Sequence, residues 1–167
     1  ESPECEYVDL YYDGDYRGSY LLCEKVEVAS GRVDIEDMEA AIELANPSVS
    51  DYDKLPANQG TTRRGGKMQW VEGLADPGIN AGGYLLELDT VWGVKEKSWF
   101  VTSTSDVIVL KNPEYAPRAQ VESISSFVEE IIQCINEGGV NSSTGKSLFE
   151  YIDRDSFIKF YFIQNWT

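Results

Sequence analysis

No histidine occurs anywhere in the 167 residues. That excludes serine or cysteine nucleophiles driven by an imidazole base, His-ligated zinc and HExxH chemistry. Basic residues are scarce as well, 14 against 29 acidic ones, for a formal charge of −15. Wrapping nucleic acid or adhering to anionic lipid needs clustered Lys and Arg, so neither is expected. Three cysteines are too few for a disulfide-stapled scaffold. No run approaches the roughly 18 apolar residues of a membrane-spanning helix, and no leader pattern is recognisable. What is present is 42% hydrophobic residues, enough for one core in a chain of this length. The chemistry left open is that of carboxylates, lysine and hard metals, or plain binding.

The chain divides by pattern into four parts. Cys5-Glu-Tyr-Val-Asp-Leu-Tyr-Tyr12 is rich in strand formers, residues 13–18 carry turn chemistry, and residues 19–26 return as a second strand. In that register Cys5 falls near Glu24 or Val26 rather than opposite Cys23, so Cys5, Cys23 and Cys134 are expected as three thiols. Asp34 is placed to cap a helix running to about Ala45, with Ile35, Met38, Ile42 and Ala45 on one face and Asn46-Pro47 ending it. Residues 48–80 show no sustained period of either kind, which in a compact domain points to a functional or mobile segment. They carry the main basic cluster of this acidic chain: Arg63, Arg64 and Lys67.

Strands are expected again at residues 82–89, 98–102 and 106–110, with Lys111-Asn-Pro113 closing the last. Helical spacing follows over residues 117–135, ended by Gly138-Gly139. Asp153 caps a final helix over residues 155–165. Its Phe157, Ile158, Phe160, Tyr161, Phe162 and Ile163 leave almost no polar face. A helix apolar on nearly all sides needs cover from other protein. The expectation is that these residues begin a larger fold or that a partner buries them.

Several stretches imitate motifs. Residues 139–147 resemble a phosphate-binding loop, but one residue too many separates the glycines and a helix precedes them, so a linker is expected. Asp13-Gly-Asp15 lacks the ligand loop that calcium needs and is read as a turn. Asn141-Ser-Ser and Asn165-Trp-Thr match glycosylation sequons. Glu24 is less neutral. By alternation it shares a face with Tyr20, Leu22 and Val26: either that face is core and the carboxylate is buried against a cation, or the strand is solvated there. Lys111 ends an apolar strand where the chain turns, either meeting an anion or standing as a solvated cap.

The order of segments is itself informative. Gly18-Ser-Tyr-Leu-Leu-Cys-Glu24, Arg32-Val-Asp-Ile35, Gly82-Gly-Tyr-Leu-Leu-Glu-Leu-Asp89, Val109-Leu-Lys-Asn-Pro-Glu114 and Tyr151-Ile-Asp-Arg-Asp-Ser-Phe-Ile158 together resemble the CotH family, spore-coat and cell-surface proteins whose characterised members are atypical protein kinases. Asn112, where the family tends to have a small residue, and the extended segment 48–80 depart from its pattern.

The resemblance implies an α+β, protein-kinase-like arrangement, apparently truncated. An antiparallel sheet lobe with packed helices over residues 1–115, with an insertion at 48–80, would precede the start of a helical lobe over 116–167. Glu24, Lys25 and Lys111 would line a nucleotide cleft. The family's metal-binding Asp cluster lies beyond the apolar helix, so no catalytic or metal residue is assigned here. ATP and Mg would serve the complete family domain and bind this piece only weakly. The implied setting is the extracellular side, cell surface or spore coat of a bacterium, with a coat or surface protein as substrate and the helix at 155–166 available for association.

Two other readings stay open. Arg63, Arg64 and Lys67 could hold a polyanionic or coat-protein partner without chemistry. Alternatively, the acidic chain could act as an immunity-type antagonist of a basic protein, steered by its charge.

Overall fold

The computed structural model describes residues 4–78, 81–90 and 94–166. It begins with an antiparallel ribbon of β1 (Cys5–Tyr12) and β2 (Asp15–Cys23). The turn between them is two residues long. Asp13 and Gly14 both take positive φ, 51° and 82°, the conformation whose twist matches that of the strands it joins. This corrects the expected six-residue turn. Gly18, read as its end, instead lies inside β2 beside a register shift at Leu10/Tyr11. Because β2 starts four residues earlier than expected, Cys23 stands directly opposite Cys5, and the predicted offset toward Glu24 or Val26 is wrong.

Helix α1 (Met38–Ala45) starts later than expected. Asp37, not Asp34, is its cap: the Asp37 carboxylate accepts from the Glu39 and Ala40 amides at 3.0 and 3.2 Å. Just before it, the Gly83 amide donates to the Glu36 carbonyl at 2.7 Å. Gly82 is required there, since a Cβ would lie 2.5 Å from the Met38 nitrogen. The displaced start removes Ile35 from the helical face, and α1 buries Met38 and Ile42 alone. Asn46 ends it as expected, its side chain donating to the Ile42 and Ala75 carbonyls.

The segment after α1 is not structureless. A short 3-10 turn at Tyr52–Lys54 leads into a hairpin of β3 (Ala57–Thr61) and β4 (Lys67–Val71). With β5 (Leu85–Asp89), β6 (Trp99–Val101) and β7 (Val107–Asn112) it forms a five-stranded antiparallel sheet in the order β3-β4-β6-β7-β5. The hairpin turn is pulled tight enough that a Cβ on Gly66 would lie 2.0 Å from the Val101 carbonyl oxygen. Sequence periodicity misses β4 because only Met68 and Trp70 mark its inner face.

Helix α2 (Arg118–Asn136) covers one face of the sheet. Met68, Trp70, Phe100 and Leu110 from the sheet meet Val121 and Ile124 from α2, flanked by Tyr84, Leu86 and Val128. Phe100, Leu110 and Val121 are fully buried, each contributing about 1.5–3 kcal/mol by leaving water. Two polar ties set the angle of α2. The buried Glu129 carboxylate accepts from the Ser103 amide at 2.6 Å and its hydroxyl at 2.7 Å, fixing α2 to the β6–β7 turn. The Tyr84 hydroxyl donates to Gln120, whose amide donates to Asp76; burial first, then the Asp76 charge, pushes the tyrosine up to about 12.

Residues 139–147 form the expected linker. The fully buried Asn141 organises it, accepting from the Ser143 and Thr144 amides and donating to the Glu130 carbonyl. In this fold Asn141 is closed to a glycan. A one-turn helix, α3 (Leu148–Tyr151), follows, its start fixed by a capping box of Ser147 and Glu150. Then comes α4 (Arg154–Trp166), with the Asp153 carboxylate accepting from the Ser156 amide at 2.7 Å. None of its described residues is buried, and Phe160, Phe162 and Ile163 are each more than half exposed. The ribbon resembles it in this respect: Tyr7, Tyr11, Tyr12 and Leu22 stand in solvent.

Candidate functional site

Lys111 sits near the end of β7, on the sheet face opposite α2. Register explains what surrounds it. Glu87 of β5 pairs with Val109, so its side chain lies diagonally from Lys111 on the same face, within reach of a long cation. Glu96 approaches from the segment leading into β6. The Lys111 ammonium donates to Glu96 at 3.0 Å and stands 3.5 Å from Glu87. The hydrogen bond from Lys111 holds the Glu96 carboxyl below its usual range, and the bond to Glu96, reinforced by both carboxylate charges, raises Lys111.

The same face continues as a polar row. The Gln59 amide donates to Gln69 at 2.9 Å, and the Gln69 amide reaches the Lys97 carbonyl at 3.1 Å. Lys97 in turn clasps the Asp53 and Leu55 carbonyls. These bonds tie the segment bearing Glu96 to β4 and to the turn before β3.

One cation between two carboxylates carries a net charge of −1. A phosphate therefore meets repulsion at Lys111 unless Glu96 and Glu87 release it or a divalent cation compensates them. Among the described residues no group of three or more His, Cys, Asp or Glu is placed to hold a metal. The described residues thus supply a lysine held between two carboxylates.

Glu24 and Lys25 lie elsewhere in the fold. Glu24 follows β2 at the open end of the ribbon, exposed, accepting from the Glu4 amide at 3.1 Å. Of the two alternatives for that face, the solvated one holds. It lines an open cleft of about 630 Å³ with Cys5, Cys23 and Arg32 among others. Lys25 is exposed and 3.7 Å from Glu27, to which Arg32 is also bonded. No ion pair or hydrogen bond joins Glu24 or Lys25 to Lys111 among the described residues; the cation partner of Glu96 is Lys111.

Arg63, Arg64 and Lys67 are brought together at the tip of the β3–β4 hairpin, all exposed. The Thr62 amide donates to the Gly66 carbonyl at 2.7 Å and holds the turn. Arg64 reaches Gln133 on α2, and none of the three is in an ion pair among the described residues. Sequence reasoning missed Glu87 and Glu96. The first was findable from strand alternation in residues 82–89, while the second sits in a stretch without periodicity.

The family described as CotH kinase protein matches residues 1–167, the whole chain. The chain belongs to the CotH family. No curated protein and no solved structure matches it. The five ordered segments that resemble CotH proteins now have places. The first closes the ribbon with Glu24, the second leads to α1, the third and fourth are β5 and β7, and the fifth joins α3 to α4. As a CotH-family chain it is α+β, with antiparallel sheets and helices, and Lys111 of β7 is paired with Glu96 from the segment before β6. No helix among the described residues is long and apolar enough to cross a membrane.

Proposed function

We propose that this chain supplies the nucleotide-lobe portion of a CotH-type phosphotransferase, which moves the terminal phosphoryl group of ATP to serine on a coat or cell-surface protein. The observation that carries the reading is the match to the CotH kinase family over the whole chain. The Lys111–Glu96 pair supports it. A lysine steadied by a carboxylate is a recurring part of kinase sites, where catalysis is mostly positioning and neutralisation of phosphate charge, with no need for histidine. When bound, MgATP supplies the transferable group. Lys111 would meet phosphate oxygens, Glu96 would hold the ammonium in place beforehand, and Glu24 and Lys25 would line the cleft if the ribbon closes over it.

In this reading the magnesium ligands come from the Asp-rich segment that the CotH family places after the apolar helix, so residues 1–167 alone are expected to bind MgATP weakly and to transfer nothing. Isothermal titration of MgATP into this chain, and into the same chain joined to the Asp-rich metal-binding segment of a CotH protein, tests the assignment. Binding gained only by the joined form, and weakened again by Lys111→Ala, is the expected result. Equal, tight binding by both forms would overturn it.

A non-catalytic reading has one observation in its favour: three cations outside any described ion pair, on the hairpin tip of a chain carrying −15. In that case replacing Arg63, Arg64 and Lys67 by serine abolishes capture of an acidic coat or surface protein and leaves nucleotide affinity alone.

A further inference from the structure

The corrected ribbon register has a chemical outcome that depends on no assumption about phosphoryl transfer. Cys5 and Cys23 are direct cross-strand partners, and their sulfur atoms are 2.8 Å apart. The Glu24 amide donates to the Glu4 carbonyl at 2.9 Å, so the neighbouring pair is the hydrogen-bonded one and Cys5/Cys23 is the pair without such bonds. In that class Cα atoms approach to about 4.5 Å and side chains are closest, within the range that a disulfide spans. Both residues are exposed and reachable by a small oxidant, whereas Cys134, on α2, is fully buried.

A two-stranded ribbon is marginally stable by itself. This one has no substantial packing against another strand or helix among the described residues, and its end opposite the Asp13-Gly14 turn is where the two cysteines stand.

We propose that Cys5 and Cys23 form a redox modification site, closing to a cross-strand disulfide by exchange with a low-molecular-weight disulfide and thereby clasping the open end of the ribbon. In the first step one protein thiolate attacks a sulfur of the external disulfide, forming a mixed disulfide and expelling one small thiolate. The second protein thiol, losing its proton, then attacks the protein-side sulfur and expels the other. Both cysteines are oxidised, one external disulfide is reduced to two small thiols, and the two protons end on those thiols. The thiol contact already present places the second sulfur for that displacement without a change of register. Glu24 and Glu4 flank the site, so the clasp also fixes the cleft edge that bears Glu24.

The test equilibrates the intact chain with oxidised glutathione and reads it by intact mass, non-reducing peptide mapping and amide hydrogen exchange. Expected are the loss of two hydrogens, one linked peptide joining Cys5 to Cys23, an unmodified Cys134, and slower exchange across β1 and β2 than in the reduced chain. The Cys23→Ser chain should retain glutathione on Cys5, showing that the resolving sulfur has been removed. Persistent glutathione on both cysteines of the unaltered chain, disulfide-linked dimers, or linkage without slower ribbon exchange would each overturn the proposal.

Discussion

Lys111 holds the functional reading together, and its environment makes the sign of its pH dependence explicit. Glu96 titrates below its ordinary 4.5 in the folded chain, so the pair contributes stability above that pH and loses it as pH falls through the folded value. Lys111 titrates above its ordinary 10.5, so the same contribution is complete below 10.5 and lost as pH rises past it. Between those limits the contribution is flat. The side chains are 40% and 21% exposed, so solvent screening keeps the pair to about 0.5–1 kcal/mol. Glu96→Gln should lower the unfolding free energy at pH 7 by that amount, read as a lower denaturant midpoint at unchanged m, and the difference from the unaltered chain should narrow as pH falls to 3. A constant difference at every pH would show that the substitution loses packing rather than charge. If the lysine serves phosphate, the same substitution also lowers affinity for MgATP in the joined protein, because the ammonium loses the carboxylate that steadies it.

At the scale of single elements, the start of α1 moves the cap from the expected Asp34 to Asp37. From the sequence Asp34 is the expected cap, ahead of a stripe that starts at Ile35, and Asp37 is a solvent-facing position within the helix. The structure assigns the cap to Asp37, whose oxygen also accepts from Asn112 of β7 at 2.8 Å. Asp37→Ala should therefore cost about 1–2 kcal/mol, Asp37→Asn should recover most of it, and Asp34→Ala should be close to silent; urea unfolding followed by circular dichroism compares them. The reverse order would return the helix start to Asp34. The same contrast explains what could be read in advance. Helix α2, with seven apolar positions at helical spacing and a Gly-Gly stop, was legible to within a residue at each end, while β5 starts three residues later and β7 ends two residues later than expected. The Asp13-Gly14 turn was legible too but was outweighed by Gly18, and that choice misplaced the partner of Cys5. The strand β4 was hidden because five residues with so few apolar members on one face make no sustained period. For the site, Lys111 was visible as a strand-end cation. Its anion was not, because Glu96 reaches it through tertiary placement of a segment whose sequence has no regular pattern.

For the molecule as a whole, the location of burial decides which parts the fold needs. Every buried apolar residue among the described ones falls between Met38 and Cys134. The sheet, α1 and α2 therefore carry the core, and α4 adds apolar surface to solvent rather than removing it. Deleting residues 154–167 takes away no buried side chain among those described, so the thermal unfolding of the remainder should change by less than about 0.5 kcal/mol. Binding of an apolar dye and self-association at high concentration should both fall, since exposed contiguous aromatic surface is what drives them. The net charge of −15 opposes association of identical copies, an effect that salt screens. Any association through α4 in the unaltered chain should therefore strengthen with added salt, whereas association led by Arg63, Arg64 and Lys67 with an acidic partner should weaken. Sedimentation at low and high ionic strength distinguishes the two. A large loss of stability on deleting 154–167 would mean that Phe157, Phe160 and Ile163 pack against the sheet domain in solution. The exposed helix would then be no docking element.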